Sequence, residues 1–311
     1  EVFGVSMNIP DDRFTSYTDH ASVLAAWKAE PTIRVLFESG AGDAEKPGAP
    51  IHAFEKTFPA WPPPTQRATR YYLQPDGTLS DSAPTATFAA SEFAHEPESG
   101  QRVIIGPGGG IWSSAPDYVW PAPASGLAVV FDTAALESDV VMAGTGSVDL
   151  WIRSTATEAD LEATLSELRP DGQEMYVQSG WLRASQRRLA DDATVLYPAQ
   201  TRYEEHHAPL VPGEWTQARL AIAPFAHAFR AGSRLRLTID TPGGSRAEWK
   251  FSLAPVPAGT KVAIGHDAVR ASSVALPVLE GVAPQGALPP CTLRGQQCRP
   301  ASSYDNSPAA E

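Results

Sequence analysis

The side chains of this chain that could carry out hydrolysis are its serines, histidines and acidic residues, and their spacing decides whether they form a site. A serine nucleophile on an α/β fold sits at a sharp strand-to-helix turn with the pattern Gly-x-Ser-x-Gly, because that turn exposes Oγ beside the oxyanion hole. The pattern is absent from the 311 residues. The nearest serines, Ser147 and the pair Ser113-Ser114, do not precede a helix and are interpreted as turn residues. We therefore predict no catalytic residue in this chain.

The histidines and aspartates do not indicate a metal site either. His206 and His207 follow two glutamates, but neighbours on an extended chain point to opposite faces. The four residues are thus poorly placed to share one ion and are interpreted as a solvated loop. Asp76-Gly77 and Asp171-Gly172 are turn sequences, because the Asp-x-Asp-x-Asp pattern of a calcium loop is missing. The sequence predicts no metal and no cofactor. The other histidines have no partner base or orienting acid at informative spacing: His20, His52, His95, His227 and His266.

A glycine-rich segment, residues 106–112, superficially resembles a phosphate-binding loop. It lacks the Lys and Ser/Thr of that motif and is not followed by a helix. We interpret it as a loop that lets Ile111 and Trp112 project. Exposed aromatic residues here, including Tyr118 and Trp120, could line an apolar pocket or bind sugar rings. A packed corner of the fold is the other interpretation, and the sequence does not choose between them.

The first part of the chain has the pattern of an α/β domain. Residues 19–30 place apolar side chains at helical spacing, with Thr18 as N-cap and Pro31 as the stop, and residues 32–37 then form a buried strand. Because one such unit cannot cover its own faces, we expect its sheet partners to lie upstream. The first residue, which is not Met, also suggests a piece of a longer chain. Residues 58–64 are rich in proline and predict an extended connector.

From Arg70 onward, short strand-like segments dominate. Apolar and polar residues alternate over 146–153 and 161–168, as in strands with one solvated face. Strands separated by Pro, Gly and Asp turns predict an antiparallel β-sandwich. Residues 285–311, rich in Pro, Ser and Ala, are expected to pack loosely. The remaining predicted strands are 69–73, 127–131, 175–184, 216–223, 233–240 and 261–266.

Composition limits the partners and the compartment. The formal net charge of −12 and the lack of a Lys/Arg-rich run disfavour nucleic acid and anionic membranes. No run of about 18 apolar residues is present, so no membrane span is predicted. Cys291 and Cys298, flanked by Pro and Gly, predict a small disulfide loop, with two free thiols as the alternative. A disulfide favours an exported protein, so we expect a secreted or cell-surface bacterial protein.

Several segments, taken in order, resemble the C-terminal part of the X-prolyl dipeptidyl-peptidase and cocaine-esterase (CocE/NonD) group of serine hydrolases. Residues 32–37, 58–62 and 70–79 resemble the passage from the α/β domain into the sandwich. One departure is Pro242-Gly-Gly244, where many relatives carry a Ser/Asn-rich stretch that ends in Pro. The segments that resemble the body of the sandwich are 147–153, 169–172, 180–185, 210–214 and 232–237.

The resemblance implies a mainly β fold, a jelly-roll (galactose-binding-like) antiparallel β-sandwich preceded by a short α/β-hydrolase remnant. The remnant and its Pro-rich connector would occupy residues 1–66, the sandwich 67–284 and the tail 285–311. The family's catalytic Ser, Asp and His would lie upstream, so the chain alone is expected to be inactive and to support an N-terminal catalytic α/β-hydrolase portion of the same protein. The parent reaction would be acyl transfer to water from a small ester, amide or X-Pro peptide.

In the family, the sandwich also lends a loop to the mouth of the acyl pocket. Gly110, Ile111 and Trp112 resemble that loop and are the predicted substrate-pocket residues. The alternative function is a stand-alone carbohydrate-binding jelly-roll module. The helix and strand of residues 19–37 discriminate between the two, because a free-standing module has no use for an orphan α/β segment.

Overall fold

The computed structural model describes residues 11–96, 112–113, 119–242, 252–291 and 293–310. These residues contain one α-helix, α1 (His20–Ala29), and two 3-10 turns, Ala184–Gln186 and Glu204–His206. The strands, in chain order, are β1 (Ile33–Phe37), β2 (Phe54–Phe58), β3 (Gln66–Leu73), β4 (Thr78–Ser80), β5 (Ala90–Ala94), β6 (Ala128–Thr133), β7 (Val140–Ser154), β8 (Asp160–Leu168), β9 (Gln173–Arg183), β10 (Thr216–Phe229), β11 (Arg234–Asp240), β12 (Lys261–Gly265), β13 (Ser273–Leu279), β14 (Cys298–Pro300) and β15 (Ser307–Pro308).

The strands from β3 onward build a β-sandwich, which confirms the predicted fold class. One run of antiparallel pairs joins β14, β9, β8, β11 and β6, and another joins β3, β13, β7, β12 and β5, with β10 also paired to β7. Strand β4 links the runs, pairing antiparallel with β3 and parallel with β6. Strand β10 packs across β9 and β8, and the main core fills the space between. Side chains from both runs contribute to that core, among them Val148, Leu150, Ile152, Leu161, Leu165, Leu220 and Leu237.

The alternation of apolar and polar residues in the sequence correctly indicated the strands whose apolar side faces this core. In β7, Val148, Leu150 and Ile152 are at most 2% exposed, and the strand extends well beyond the predicted 146–153. Strand β10 is likewise longer than predicted, because it stays paired with β7 up to Phe229 across a register shift. The strands that the sequence patterns did not indicate are β2, β4, β5, β13, β14 and β15.

The predicted solvated face of residues 161–168 is wrong. The polar side chains of β8 are buried: Glu162, Thr164 and Ser166 are at most 2% exposed. The Ser166 hydroxyl donates to the Glu174 carboxylate at 2.8 Å, and the Thr164 and Ser179 hydroxyls lie 2.8 Å apart. These polar groups are satisfied by one another, so the alternation marks a second buried layer and not a wet surface.

The C-terminal tail does not pack loosely, contrary to the expectation for residues 285–311. Strand β14 pairs with β9, and β15 pairs with β5. The Asn306 amide binds both the N–H and the carbonyl of Val130 at 2.8 Å. Arg299 forms a two-bond ion pair with Glu174 at 2.9 and 2.8 Å. The composition of the tail is that of a flexible segment, but these long-range bonds order it.

The N-terminal strand has its own sheet partner within this chain. Strand β1 pairs antiparallel with β2, and the Phe37 and Phe54 rings stack at a centroid distance of 4.8 Å. Both rings join a second apolar cluster with Val141 and Ala228 of the sandwich. The expectation that all sheet partners of β1 lie upstream is therefore wrong. The prediction that this strand is buried is also wrong, since Leu36 is 52% exposed.

Helix α1 lies at the periphery of the described structure. Asp19, not Thr18, is its N-cap, with Oδ1 accepting a hydrogen bond of 2.9 Å from the Ser22 N–H. The helix ends at Ala29, close to the predicted stop. None of its residues is buried, and Trp27 is 57% exposed. Val23 and Leu24 are half-buried, so the apolar side of α1 is only partly covered. The predicted connector 58–64 begins with Phe58, the last residue of β2.

Candidate functional site

The carboxyl end of β1 is anchored to the sandwich by a buried ion pair. Glu38 follows β1 directly with φ 57°, a left-handed conformation that non-glycine residues adopt infrequently, and is 4% exposed. Its Oε1 lies 2.6 Å from Nη2 of Arg230, which follows β10. Burial raises the pKa of the Glu38 carboxyl, although the Arg230 cation acts against this. The pair fixes the direction in which the chain leaves β1.

A second buried carboxylate lies in the same region of the sandwich. Glu167 of β8 accepts a hydrogen bond of 2.6 Å from the Ser233 hydroxyl and lies 2.9 Å from His227 Nε2. All three side chains are at most 2% exposed. Burial acts to raise the pKa of Glu167, but the hydrogen bonds and charge of His227 and the Ser233 hydroxyl outweigh it and lower that pKa. His227 is therefore held in a fixed orientation.

The disulfide loop, residues 291–298, connects these groups to the N-terminal unit. Cys291 and Cys298 are joined by a disulfide bond, with their Cα atoms 5.6 Å apart. The Gln296 side-chain amide lies 3.0 Å from His227 Nδ1, so the loop reaches the buried histidine. The Arg294 N–H donates to the Ser39 carbonyl at 2.7 Å, immediately after Glu38. The loop thus binds the sandwich on one side and the exit of β1 on the other.

Arg294 also ties a third segment to this junction. Its Nη1 donates to the Gly48 carbonyl at 2.9 Å, and its Nη2 donates to the Ser113 carbonyl at 3.0 Å. The peptide that carries Trp112 is therefore held next to the turn that leaves β1. We call this meeting point of the Glu38–Gly48 turn, residues 112–113 and the disulfide loop the junction. The charges and hydrogen bonds of the junction hold these three segments together. Trp112 is 60% exposed there.

The buried groups beside the junction do not have the geometry of a catalytic triad. A triad places histidine between the nucleophile and the acid. Here both Ser233 and His227 bind Glu167, so the carboxylate is in the middle. The Ser233 hydroxyl is also fully buried and cannot meet a substrate.

One serine does contact a histidine elsewhere in the sandwich. Ser91 Oγ lies 3.0 Å from His266 Nε2, but the two residues are 5% and 2% exposed. Among the described residues, His266 Nδ1 has no hydrogen-bond partner, so no described acid orients the ring. The neighbouring Asp267 carboxylate binds Arg270 Nε at 2.9 Å instead. This pair is therefore a packed hydrogen bond and not a nucleophile with its base.

The described residues contain no group of three or more His, Cys, Asp or Glu side chains arranged to hold a metal ion. His206 Nδ1 binds the Thr201 hydroxyl at 2.8 Å, whereas His207 Nε2 faces Glu158 at 3.9 Å. The two neighbouring histidines thus have different partners. The extended chain assumed for them is wrong, because Glu204–His206 is a 3-10 turn. Within the described residues, none of the helices has the length and apolar character to cross a membrane.

Comparison with known proteins assigns this architecture to a family. The model of the family described as X-Pro dipeptidyl-peptidase C-terminal non-catalytic domain matches residues 25–248. This chain belongs to that family. The predicted recognition as the C-terminal part of a CocE/NonD-like hydrolase is confirmed, and the match begins inside α1 and covers most of the sandwich.

Curated relatives are longer than this chain. A Mycobacterium bovis protein with the provisional name of serine esterase is 28% identical over 246 residues, which cover 74% of this chain and 37% of that protein. A Mycobacterium tuberculosis protein with the same provisional name matches equally. The chain thus spans little more than a third of the length of these relatives.

Solved structures show the same fold at low identity. A CocE/NonD family hydrolase from Staphylococcus aureus superposes with a TM-score of 0.60 at 19% identity, over 81% of this chain and 42% of that one. An α-amino acid ester hydrolase gives a TM-score of 0.53 at 16% identity, over 72% and 39%. In both, the family domain of this chain corresponds to less than half of the solved chain.

Two of the three predicted pocket residues, Gly110 and Ile111, lie outside the described residues, as does Tyr118. Trp112 is described and is exposed at the junction. Trp120 is not an exposed aromatic: it is 8% exposed, with the Arg299 guanidinium 3.7 Å from its ring centroid. Of the aromatic residues that the sequence singled out, Trp112 alone is both described and accessible.

Sequence reasoning did not find the residues that build the junction. His227 was interpreted as isolated, yet its partners are Glu167 and Gln296, sixty and sixty-nine residues away. Arg294 gave no signal beyond lying between the two cysteines. The pairing of Cys291 with Cys298 and the glycine-rich segment that ends at Trp112 are the local patterns that pointed to this region.

Proposed function

We propose that this chain is the accessory C-terminal part of a serine hydrolase, which supports a catalytic α/β portion of the same protein and lends the 110–112 segment to the mouth of its acyl pocket. The substrates of the whole protein would be small esters, amides or X-Pro peptides, hydrolysed through an acyl-enzyme. The observation that carries the proposal is the bridge made by Arg294, which holds Ser113 beside Gly48 at the exit of β1.

The Arg294 bridge lies at a place where an α/β hydrolase would bind its ligand. In open α/β sheets, ligands bind outside the carboxyl ends of the strands. Strand β1 follows α1 as in an α/β unit, although its described partner is the antiparallel strand β2. The junction lies at the carboxyl end of β1. An exposed indole at this place can supply apolar contact to an acyl group. Trp112 is 60% exposed and therefore accessible to such a group.

The surface of α1 supports a partner on the N-terminal side. Tyr17 and Trp27 are 42% and 57% exposed, and no residue of the helix is buried. Tyr17 precedes the helix and Trp27 lies within it. Exposed apolar side chains that form a contiguous patch mark a contact surface. We also propose export to the cell surface or medium, supported by the disulfide bond, because disulfides persist in oxidising compartments.

The test uses the chain extended by its upstream coding region. Trp112→Ala is compared with Tyr203→Ala, a matched control because Tyr203 is also 60% exposed but lies in the turn between β9 and β10. We expect Trp112→Ala to change the ratio of kcat/KM for a bulky and a small ester by about tenfold or more, the effect of removing one apolar group from a pocket. The melting temperature should stay within the range of the control.

The opposite pattern would refute the assignment. If Trp112 were a packed corner, its truncation would leave a cavity and cost about 3–5 kcal/mol of stability. A large fall in melting temperature with an unchanged ratio of specificity constants therefore contradicts the pocket role. A ratio shifted equally by Tyr203→Ala would show that the effect is not specific to the junction.

A further inference from the structure

A groove of about 780 Å³ lies between the connector that follows β2 and the long loop between β9 and β10. Trp61 and Pro62 form the wall on the side of the connector, and residues 194–197 form the wall on the side of the loop. Trp61, Val195 and Tyr197 are 49%, 51% and 48% exposed. The volume is in the range of small-molecule sites, about 300–1,000 Å³. Among the described residues, neither those of the junction nor Trp112 lines this groove.

The 194–197 wall is a built turn, because its backbone polar groups are satisfied from within the protein. The Thr194 N–H donates to the Tyr197 carbonyl at 2.8 Å, and the Tyr197 N–H donates to the Thr194 hydroxyl at 2.9 Å. Arg219 Nη2 donates to the carbonyls of Thr194 and Val195 at 2.9 and 3.3 Å. The apolar side chains are thus presented on a fixed backbone, which lowers the entropic cost of binding.

The depth of the groove comes from an irregularity in the sheet. The register between β7 and β10 shifts between Ile222 and Phe225, and Gly144 and Pro224 at this shift line the groove. Gly144 has φ +136°, and a Cβ there would lie 2.6 Å from Gln66 Nε2. The Gln66 amide donates to the Ala143 carbonyl at 2.7 Å and is therefore engaged. A glycine and a proline at the bulge leave the space that a larger side chain would fill.

The lining defines the chemistry of an occupant. None of the described residues that line the groove is charged, and apolar and aromatic groups dominate among them. Two cations adjoin the lining, and both are engaged: Arg219 is paired with Asp149 at 2.7 Å and donates to the Thr194 carbonyl. Arg67 donates to the Pro64 and Gln66 carbonyls and lies 3.3 Å from Glu280. A charged ligand would lose its hydration here without gaining a partner. A flat apolar ring, in contrast, can pack between the Trp61 and Tyr197 walls.

We propose that this groove is a binding site for a small neutral molecule that carries an aromatic ring. Trp61 and Tyr197 supply the contact surface, and the turn held by Arg219 keeps the site open. The inference is independent of the proposed hydrolase function, since it rests on contacts among described residues of this chain and on no catalytic group.

The experiment titrates the 311-residue chain with 2-naphthol, which is neutral at pH 7, and with 2-naphthoate, which has the same rings and a negative charge. Saturation-transfer NMR and calorimetry report binding. We expect a dissociation constant of about 0.1–1 mM for 2-naphthol, the range open to a ligand of this size. 2-Naphthoate should bind about tenfold more weakly or not at all.

Variants locate the site. Ala68 is an exposed residue of β3 that lines the groove, so Ala68→Arg blocks it without disturbing the core. Tyr197→Ala removes one wall. Each should weaken 2-naphthol binding by about tenfold or more, a loss typical of a central contact. Two control variants at exposed positions elsewhere, Ala301→Arg and Tyr203→Ala, should bind like the unmodified chain, and unchanged melting temperatures confirm that each variant is folded.

Three outcomes would overturn the proposal. The first is no detectable binding of 2-naphthol to the unmodified chain. The second is binding that Ala68→Arg and Tyr197→Ala leave unchanged, which would place the probe elsewhere. The third is equal binding of 2-naphthoate, which would contradict the neutral lining as the basis of selection.

Discussion

Replacing Arg299 tests whether the C-terminal tail is an integral part of the sandwich. Its guanidinium makes two hydrogen bonds to Glu174, at 2.9 and 2.8 Å, and a third to the Pro121 carbonyl at 2.8 Å. Glu174 is fully buried. In Arg299→Met the stem of the side chain is kept, but the carboxylate loses its main counter-ion. Removing one partner of a buried pair costs about 3–5 kcal/mol.

The remaining partners of Glu174 place the loss in unfolding free energy of Arg299→Met at the lower end of that range. Glu174 keeps the Ser166 hydroxyl at 2.8 Å and Arg236 Nη1 at 3.3 Å, so the carboxylate is not left without partners. We expect a loss of about 3 kcal/mol in the free energy of unfolding. With a urea slope of about 3 kcal/mol per molar, the midpoint falls by roughly 1 M.

The assay is urea unfolding followed by fluorescence and circular dichroism. Arg234→Met is the matched control, because Arg234 is exposed at the start of β11, and it should stay within about 0.5 kcal/mol of the parent. Adding Glu174→Gln to Arg299→Met should recover part of the loss, since the unpaired charge is removed. An Arg299→Met midpoint equal to that of the control would refute the tail as a structural element and restore the loosely packed tail.

Three further outcomes follow from the same contacts. Burial lowers the pKa of His95 and His266 in the folded chain. The stability they contribute is present above the unfolded pKa of about 6.5 and is lost as the pH falls below it, by up to about 1.4 kcal/mol per pH unit for each histidine. The loss of unfolding free energy between pH 7.5 and 5.5, measured by urea unfolding, should therefore be smaller for His266→Gln than for the parent, and equal losses would contradict this. Gly180→Ala should lower the free energy of unfolding by about 3 kcal/mol or more, because its Cβ would meet the Ala221 carbonyl oxygen at 1.8 Å. The control Gly126→Ala has open space around it and should lose only about 1 kcal/mol, for its positive φ. Equal melting temperatures of the two variants would disprove the close crossing of β9 and β10. Replacing both Cys291 and Cys298 by Ser should lower the free energy of unfolding by less than about 3 kcal/mol, as expected for a short loop, and finding two reactive thiols in the unfolded, unreduced parent would exclude the bond.

The sandwich could be predicted because a local sequence pattern indicates most of its strands. In β7 and β10 the apolar residues recur at every second position and face one core, so alternation alone locates them. Strand β13 was missed because Pro277 lies within it, and proline weakens a strand pattern. The structure accommodates Pro277 at a register shift between β13 and β7, where no ladder bond is required of it. That irregularity depends on the neighbouring strand and leaves no mark in the local sequence.

The junction could not be predicted, since its contacts join distant parts of the chain. Arg294 reaches Gly48, 246 residues away, and Ser113, 181 residues away. The polar face of β8 was taken for a solvated surface because the Arg299 that covers the adjoining Glu174 is 125 residues further along than its partner. Side-chain alternation reports that a strand has two faces, but it does not report what covers the second face.

The most direct test of the non-catalytic assignment is labelling with a fluorophosphonate probe, which modifies activated serine nucleophiles. The chain alone should form no adduct, because Ser233 and Ser91 are buried and neither belongs to a triad. The same chain extended by its upstream coding region should be labelled stoichiometrically on a serine outside these 311 residues. Stoichiometric modification of any serine within the chain alone would contradict the account.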